Sequence, residues 1–476
     1  MKALKSNMNI QSFDFKDIHH SGTFSTYNHS MHDIDIIADA LSSTTTLKQL
    51  TFRAEHPRKE IYDALHRNSS ITTLVISNSS LPLTGQFLPQ NIEKLEILCW
   101  KPDVSLKKYQ NLASNILNNN TLHTIKISHG AHVIDHILNA ISPILISRPH
   151  IQTLILAYDI HTVLNKTNIT NIANSKVKSL EITNGGSMIF DDNNISLLTD
   201  VLLIIANHDN IESLILKNRK IGPYDSSSVL RLSSAVAHLI TNCRSIRDLA
   251  LIGFRFDDEC GTNIIKALTQ SQTRQLVSLD LTNNSFSART LQQFTQFDQF
   301  QKLVLDVNTR LPDDDGSLEK AYATYISKNN NLTHLSLTNN SFTAGYIFDV
   351  LRYNDTLTYI NLVSNRYDND VVGKIIDVIK NNKSLTTLYI GSDTFSKKSI
   401  QKIINSVQYN STLINIRIEV YDDSEHLKGY INRNRYNIEN LYTNLLTTLL
   451  NNISYEISDA SDSDNDNQDL DYLLVD

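Results

Sequence analysis

Cysteine is scarce: Cys99, Cys243 and Cys260 are the three in 476 residues. Their odd number and their spacing fit neither a zinc site nor a disulfide framework, which points to a reducing compartment. No run of ~18 apolar residues occurs, so no membrane-spanning helix is expected. Residues Met1 to Ile10 hold two Lys and no apolar core, a pattern without a Sec-type signal. There is no Gly-rich phosphate loop, and the isolated Gly185-Gly186 pair reads as a turn. Lys and Arg are missing from Tyr436 onward, where Glu439, Glu456, Asp459, Asp462, Asp464, Asp466, Asp469, Asp471 and Asp476 lie. With a net charge of −7 the body is therefore close to neutral, and nothing electrostatic argues for nucleic acid or an anionic membrane.

What the chain does hold is a repeat. An apolar frame spaced Leu-x-x-Leu-x-Leu recurs, running on to an Asn in four copies: Leu276, Leu279, Leu281, Asn284; Phe300, Leu303, Leu305, Asn308; Leu332, Leu335, Leu337, Asn340; and Leu357, Ile360, Leu362, Asn365. Admitting Ile, Val or Phe gives fourteen copies, from Leu47 to Leu413, spaced 21 to 35 residues apart. Inside each copy apolar and polar residues alternate, as a strand with one buried face requires. Between copies the period becomes three to four, which predicts amphipathic helices at Ser228 to Ile240, Val371 to Ile379 and Ile400 to Val407. Asn-rich steps such as Asn381-Asn382-Lys383-Ser384 and Asn118-Asn119-Asn120-Thr121 close these helices. There Asn is expected to take left-handed backbone.

A unit of strand, turn, helix and turn, stacked, gives a right-handed α/β solenoid with strands on one face and helices on the other. Repetition overrides the prior of about three ~150-residue domains that length alone suggests. The pattern over 47–420 resembles leucine-rich repeat proteins of the long-repeat class typified by ribonuclease inhibitor. That resemblance implies a horseshoe with a concave parallel sheet, and an asparagine ladder built by Asn284, Asn308, Asn340 and Asn365. At the corresponding position the other repeats hold residues such as Gly185, Arg219 and Phe254, so they are expected to be less regular or shifted by one residue. The expected organisation is an N-terminal cap over 1–46 with a short helix at Ile34 to Leu41, and a solenoid over 47–424. Capping helices come next over 425–457, then a disordered acidic tail over 458–476.

Candidate chemistry is thin. His129, His132 and His136 approach metal-ligand spacing but lack the zincin Glu, and read as a solvated helix start. Asp313, Asp314, Asp315, Gly316 and Glu319 lack the alternation and twelfth-position Glu of an EF-hand, and read as a turn with a helix cap. In the tail, Asp462, Asp464 and Asp466 alternate correctly, but Asn467 stands where such a loop needs Gly. The thiols lack an activating context and read as inert. No catalytic residue, metal or cofactor is therefore expected.

The open sheet face remains. Its central column runs Thr51, Val75, Glu96, Lys126, Ile155, Glu181, Ile215, Ala250, Asp280, Val304, Ser336, Asn361, Tyr389 and Arg417, with Ile252, Tyr359 and Val363 close by. Ile155, Ile215, Ile252, Val304, Val363, Tyr359 and Tyr389 are expected to anchor a protein partner, and Glu181, Asp280, Asn361 and Arg417 to select it. The expected function is a non-enzymatic protein-binding module acting as a monomer. Abundant Asn, Ile, Lys and Tyr, with no appended enzyme, resemble effectors that intracellular bacteria such as Legionella deliver by a non-Sec system. On that resemblance the partner is a host protein and the destination the host cytoplasm. The alternative is a cytoplasmic regulator of a small GTPase, because activators of Ran share this repeat type and carry an acidic tail.

Overall fold

The computed structural model describes residues 11–419, apart from 17–30, 54–57, 100–104, 129–130, 159–164, 185–191, 219–224, 272–274, 309–315, 368–369, 392–394, 408 and 414. The readings at His129, at Gly185-Gly186, at Asp313, Asp314 and Asp315, and over 425–457 and 458–476 lie outside these residues. The chain divides after Glu419 into two units, and the first, Met1–Glu419, holds every described strand and helix.

Fifteen strands form one open parallel sheet in strict chain order. They are β1 (Ser12–Lys16), β2 (Gln49–Arg53), β3 (Thr73–Ser77), β4 (Lys94–Leu98), β5 (Thr124–Ser128), β6 (Thr153–Tyr158), β7 (Ser179–Asn184) and β8 (Ser213–Asn218), then β9 (Asp248–Ile252), β10 (Ser278–Asp280), β11 (Lys302–Val304), β12 (His334–Ser336), β13 (Tyr359–Asn361), β14 (Thr387–Gly391) and β15 (Asn415–Glu419). Every crossover but one contains an α-helix; β3 and β4 are joined through a single 3-10 turn, Asn78–Ser80. Parallel neighbours need such crossovers, and laying each helix behind its strand buries one side of the sheet. The result is an α/β solenoid.

The frame residues make the core. All fourteen first positions are buried, from Leu47 at 0% exposed to Leu413 at 9%. Each such Leu contributes about 1.5–3 kcal/mol on burial, so the repeat is also the main stabilising unit. The three predicted helices are present as Ser226–Asn242, Val371–Asn381 and Lys397–Val407. Helix Val371–Asn381 turns Val371, Val372, Ile375, Val378 and Ile379 inward, the stripe its period demands.

Two expectations need correction. Sheet formation starts before the frame at Leu47, because β1 pairs with β2 from Ser12↔Gln49 to Lys16↔Arg53. Its Phe13 and Phe15, with Ile10 ahead of them, fit the frame once Phe is admitted, so 1–46 holds a strand as well as the helix Met31–Ser43. The Asn residues behind the helices are also not left-handed: Asn68, Asn329 and Asn382 are extended and Asn118 is helical.

Those asparagines bridge repeats instead. Asn382 is 1% exposed. Its Nδ2 donates to the carbonyls of Leu351 and Asn354 at 2.6 and 2.8 Å, and its Oδ1 accepts from the N–H groups of Ser384 and Leu385 at 3.0 and 2.7 Å. Asn68, Asn119, Asn354 and Asn410 do the same three residues ahead of their own frame residues. This is an Asx turn that joins a helix end to the next strand while satisfying carbonyls of the previous repeat, at a helix end for all but Asn119, which reaches Pro89 O in the crossover without an α-helix.

The other ladder lies at the far ends of the strands. Asn340 Nδ2 donates to Leu305 O at 2.8 Å, its Oδ1 accepts from Asn308 N at 3.2 Å, and its own N–H donates to Asn365 Oδ1 at 3.0 Å. Asn284 and Asn308 make equivalent bonds to Leu251 O and Leu281 O. The residue before each ladder Asn takes positive φ, at Asn283, Val307, Asn339 and Ser364. This left-handed step ends β10 to β13 after three residues each. In β7 and β8 the Asn falls one residue earlier, and Asn184 Nδ2 donates to Asn218 Oδ1 at 3.2 Å. Strands there run on to six residues.

Candidate interaction surface

One backbone register runs through all strands. Asp14 on β1 pairs with Thr51, and the row continues through Val75, Glu96, Lys126, Ile155, Glu181, Ile215, Ala250, Asp280, Val304, Ser336, Asn361 and Tyr389 to Arg417. Because side chains alternate, this row and the rows two positions to either side of it face away from the helices. The sheet thus brings together residues some 28 positions apart in sequence at strand spacings of about 4.8 Å.

Exposure along the row is uneven. Ile155, Ile215, Ile252, Tyr359 and Tyr389 are half-buried, so each keeps apolar surface in water. Val304 and Val363 are each 7% exposed and offer little to a partner. Valine is a short side chain, and the row beside Val304 carries the longer Lys302 and His334. Val304 and Val363 are therefore packing positions, a correction to their expected role as anchors.

The charged residues are largely tied to neighbours. Glu96 Oε1 meets Lys126 Nζ at 2.9 Å, and Glu181 Oε1 meets Lys217 Nζ at 2.9 Å while accepting from Thr183 Oγ1 at 3.0 Å. Such part-exposed pairs are worth about 0.2–1 kcal/mol, and here they bracket Ile155. Asp280 accepts from the N–H and hydroxyl of Thr282, at 2.9 and 2.6 Å. Asn361 Oδ1 accepts from Val363 N at 3.2 Å. Arg417 is exposed.

Toward the C-terminal end the face becomes aromatic. His334 stacks on Tyr359 with centroids 3.8 Å apart and planes 4° from parallel. Tyr389 crosses Tyr359 at 74° with centroids 5.5 Å apart, and its hydroxyl accepts from Asn415 Nδ2 at 2.8 Å. Burial, with Lys302 beside it, pushes the His334 imidazole down to about 4, so the ring is neutral at physiological pH. Asp306 accepts from Ser336 Oγ at 2.8 Å and from Thr338 N at 2.6 Å, yet burial outweighs these bonds and holds its carboxyl above the ordinary range. Tyr359 is raised too, first by burial, then by Tyr389 and the Asp306 charge.

His334 and Asp306 lie outside the central column and were not among the expected residues. They occupy the third and seventh frame positions, which point the same way. The signal was in the sequence, in the same ruler that located Tyr359.

Elsewhere a cleft of about 780 Å³ lies between helices Ala288–Phe294 and Ser317–Lys328, and its lining includes Gln292 and Ser317, joined by a 2.9 Å bond from Nε2 to Oγ. The three thiols are buried, and burial pushes Cys99 up to about 12 and Cys260 to about 11. Among the described residues no group of three or more His, Cys, Asp or Glu is placed to hold a metal ion, and no helix is long and apolar enough to cross a membrane.

No family model matches the chain, and no curated protein matches it. Among solved structures it is similar to the complex of Rad7 and Elc1 in yeast, at 15% identity over 71% of this chain and 72% of that one, with a TM-score of 0.38. It is also similar to an internalin of Listeria monocytogenes, at 14% identity over 76% of this chain and 84% of that one, with a TM-score of 0.33.

Proposed function

We propose that the chain is a protein-binding module that grips its partner with the open face of the sheet. The observation that carries this is the row itself. Fifteen strands in register hold a surface of charged, polar and small apolar residues, among which half-buried Ile155, Ile215, Ile252, Tyr359 and Tyr389 keep apolar area in water. Interfaces draw most of their affinity from such isolated anchors set among neutral contacts. Ile155 and Ile215 sit on either side of Glu181, whose bond to Lys217 fixes a charge between them.

The finer reading rests on the sequence resemblance alone: a long-repeat protein of the ribonuclease-inhibitor-like class, acting as an effector delivered into host cytoplasm and binding a host protein. A small-GTPase regulator is the second reading. Capture from host-cell extract with the wild-type chain should be compared with a variant carrying Ile155→Asp, Ile215→Asp and Tyr389→Ala, and with a helix-side control carrying Tyr353→Asp and Tyr409→Asp. The open-face variant should lose the partner and the control keep it. Retention by both refutes the reading, and stimulated hydrolysis by any of a panel of small GTPases would select the second.

A further inference from the structure

The aromatic end of the face has a geometry that selects among partner chemistries. Lys302, His334, Tyr359, Tyr389 and Arg417 come one each from β11 to β15. A cation stands at each end of three aromatic side chains, and both cations are exposed. Tyr359 pairs with Thr387, so the strip steps two residues along the strand before Tyr389, and its end-to-end distance is about 20 Å.

Ring orientation decides what the strip presents. The parallel stack at 3.8 Å spends one face of Tyr359 on His334, and Tyr389 crosses it at 74° from the next strand. Side chains stand upright on a sheet, so what meets solvent is the ring edges. A ring's face is the electron-rich surface that attracts cations; its edge is the positive side of the quadrupole and attracts acceptor oxygens. With one face of His334 and one of Tyr359 closed on each other, and a further ring face met by the crossed contact with Tyr389, the strip offers less open face to a partner's Arg or Lys. Base stacking in nucleic acid needs the same open face.

We propose that this strip receives an extended acidic peptide segment of the partner. The segment lies across β11 to β15, sets a proline or aromatic side chain against the ring edges, and places one carboxylate near Lys302 and another near Arg417. An extended polyproline-type chain advances about 3.1 Å per residue, so carboxylates six residues apart match the cation spacing. The inference rests on the open-face reading and narrows it to a partner class.

The test uses the full chain and two fluorescein-labelled probes, Glu-Ser-Pro-Tyr-Pro-Ser-Glu and the same peptide with both Glu replaced by Lys, followed by fluorescence polarisation. At low salt the acidic probe should bind at least roughly tenfold tighter, and the gap should shrink as salt is raised. Lys302→Glu combined with Arg417→Glu should invert the preference. Tyr359→Ala should abolish binding of the acidic probe, while Tyr353→Ala on the helix side should leave it intact, with circular dichroism confirming the fold of every variant. Equal affinity for the two probes, no binding of either at about 1 mM, or tighter binding of an oligouridylate overturns the proposal. None of those results alters the outcome of the capture comparison with the triple variant, so the two readings fail separately.

Discussion

Replacing Asn382 by Leu tests whether the asparagines behind the helices hold the solenoid together. The substitution keeps the side chain's branched outline, at a larger volume, and removes its amide. Four backbone groups lose a bond: the N–H groups of Ser384 and Leu385 lose their acceptor, while the carbonyls of Leu351 and Asn354 keep a second donor, Asn354 N at 3.3 Å and Ser384 Oγ at 3.0 Å. The carbonyl of Leu351 and the N–H of Leu385 belong to residues 0% and 1% exposed, so water does not replace what they lose. An unsatisfied buried group costs about 1–3 kcal/mol, and the Leu385 N–H becomes such a group; the two carbonyls keep their second bonds and the part-buried Ser384 N–H adds less.

The loss should be local, because a solenoid repeat is coupled only to its neighbours. Hydrogen exchange measured by mass spectrometry should show β14 and β15 losing protection while β2 to β9 keep theirs. Urea unfolding should show an early C-terminal transition in the Asn382→Leu chain. A change below about 1 kcal/mol, or a uniform loss of protection along the sheet, refutes the argument: the first would mean these bonds add no net stability, the second that repeats are not independently coupled.

Val307 is β-branched yet has φ +56 and is 39% exposed, where the equivalent Asn283 and Asn339 have φ +57 and +54. Left-handed backbone costs an ordinary residue about 1–2 kcal/mol, so Val307→Asn should stabilise by about 1 kcal/mol and raise the thermal midpoint measured by circular dichroism. Gly253 takes φ +78, and a Cβ there would lie 2.2 Å from the Asn218 carbonyl oxygen; Gly253→Ala should destabilise by at least about 2 kcal/mol in chemical unfolding. Burial raises the Asp306 carboxyl above its ordinary value of 3.8, so between that value and the raised one the folded chain holds a proton that the unfolded chain has released. This contribution is complete below the ordinary value and is lost as pH rises through the raised one. Urea midpoints taken from pH 3 to 7 should therefore fall relative to those of Asp306→Asn; a constant difference would show that the carboxyl does not titrate with folding.

Much of this architecture is legible in the chain. The frame predicts fourteen strands at the right places, and its fifth position predicts the paired row from Thr51 to Arg417 residue for residue. It does so because strand alternation and helix period are local properties. β1 escaped although Ile10, Phe13 and Phe15 fit the relaxed frame; Ile10 stands 37 residues ahead of Leu47, outside the 21 to 35 spacing of the other copies. The Asn behind each helix was visible too, but its role was not: the carbonyls that Asn382 Nδ2 reaches sit 31 and 28 residues earlier, and no local rule connects them.

The open face divides along the same line. Sequence alone determined which residues point away from the helices, because the period of two in a strand leaves no other choice once the frame is buried. Only the tertiary structure decided what those residues present. Val304 and Val363 are covered, Glu181 is tied to Lys217, and His334 lies flat on Tyr359. Each outcome depends on a neighbour from the next repeat, tens of residues away, and on how tall that neighbour stands on the sheet. Periodicity sets direction within one strand; exposure, charge and ring orientation are properties of strands packed side by side.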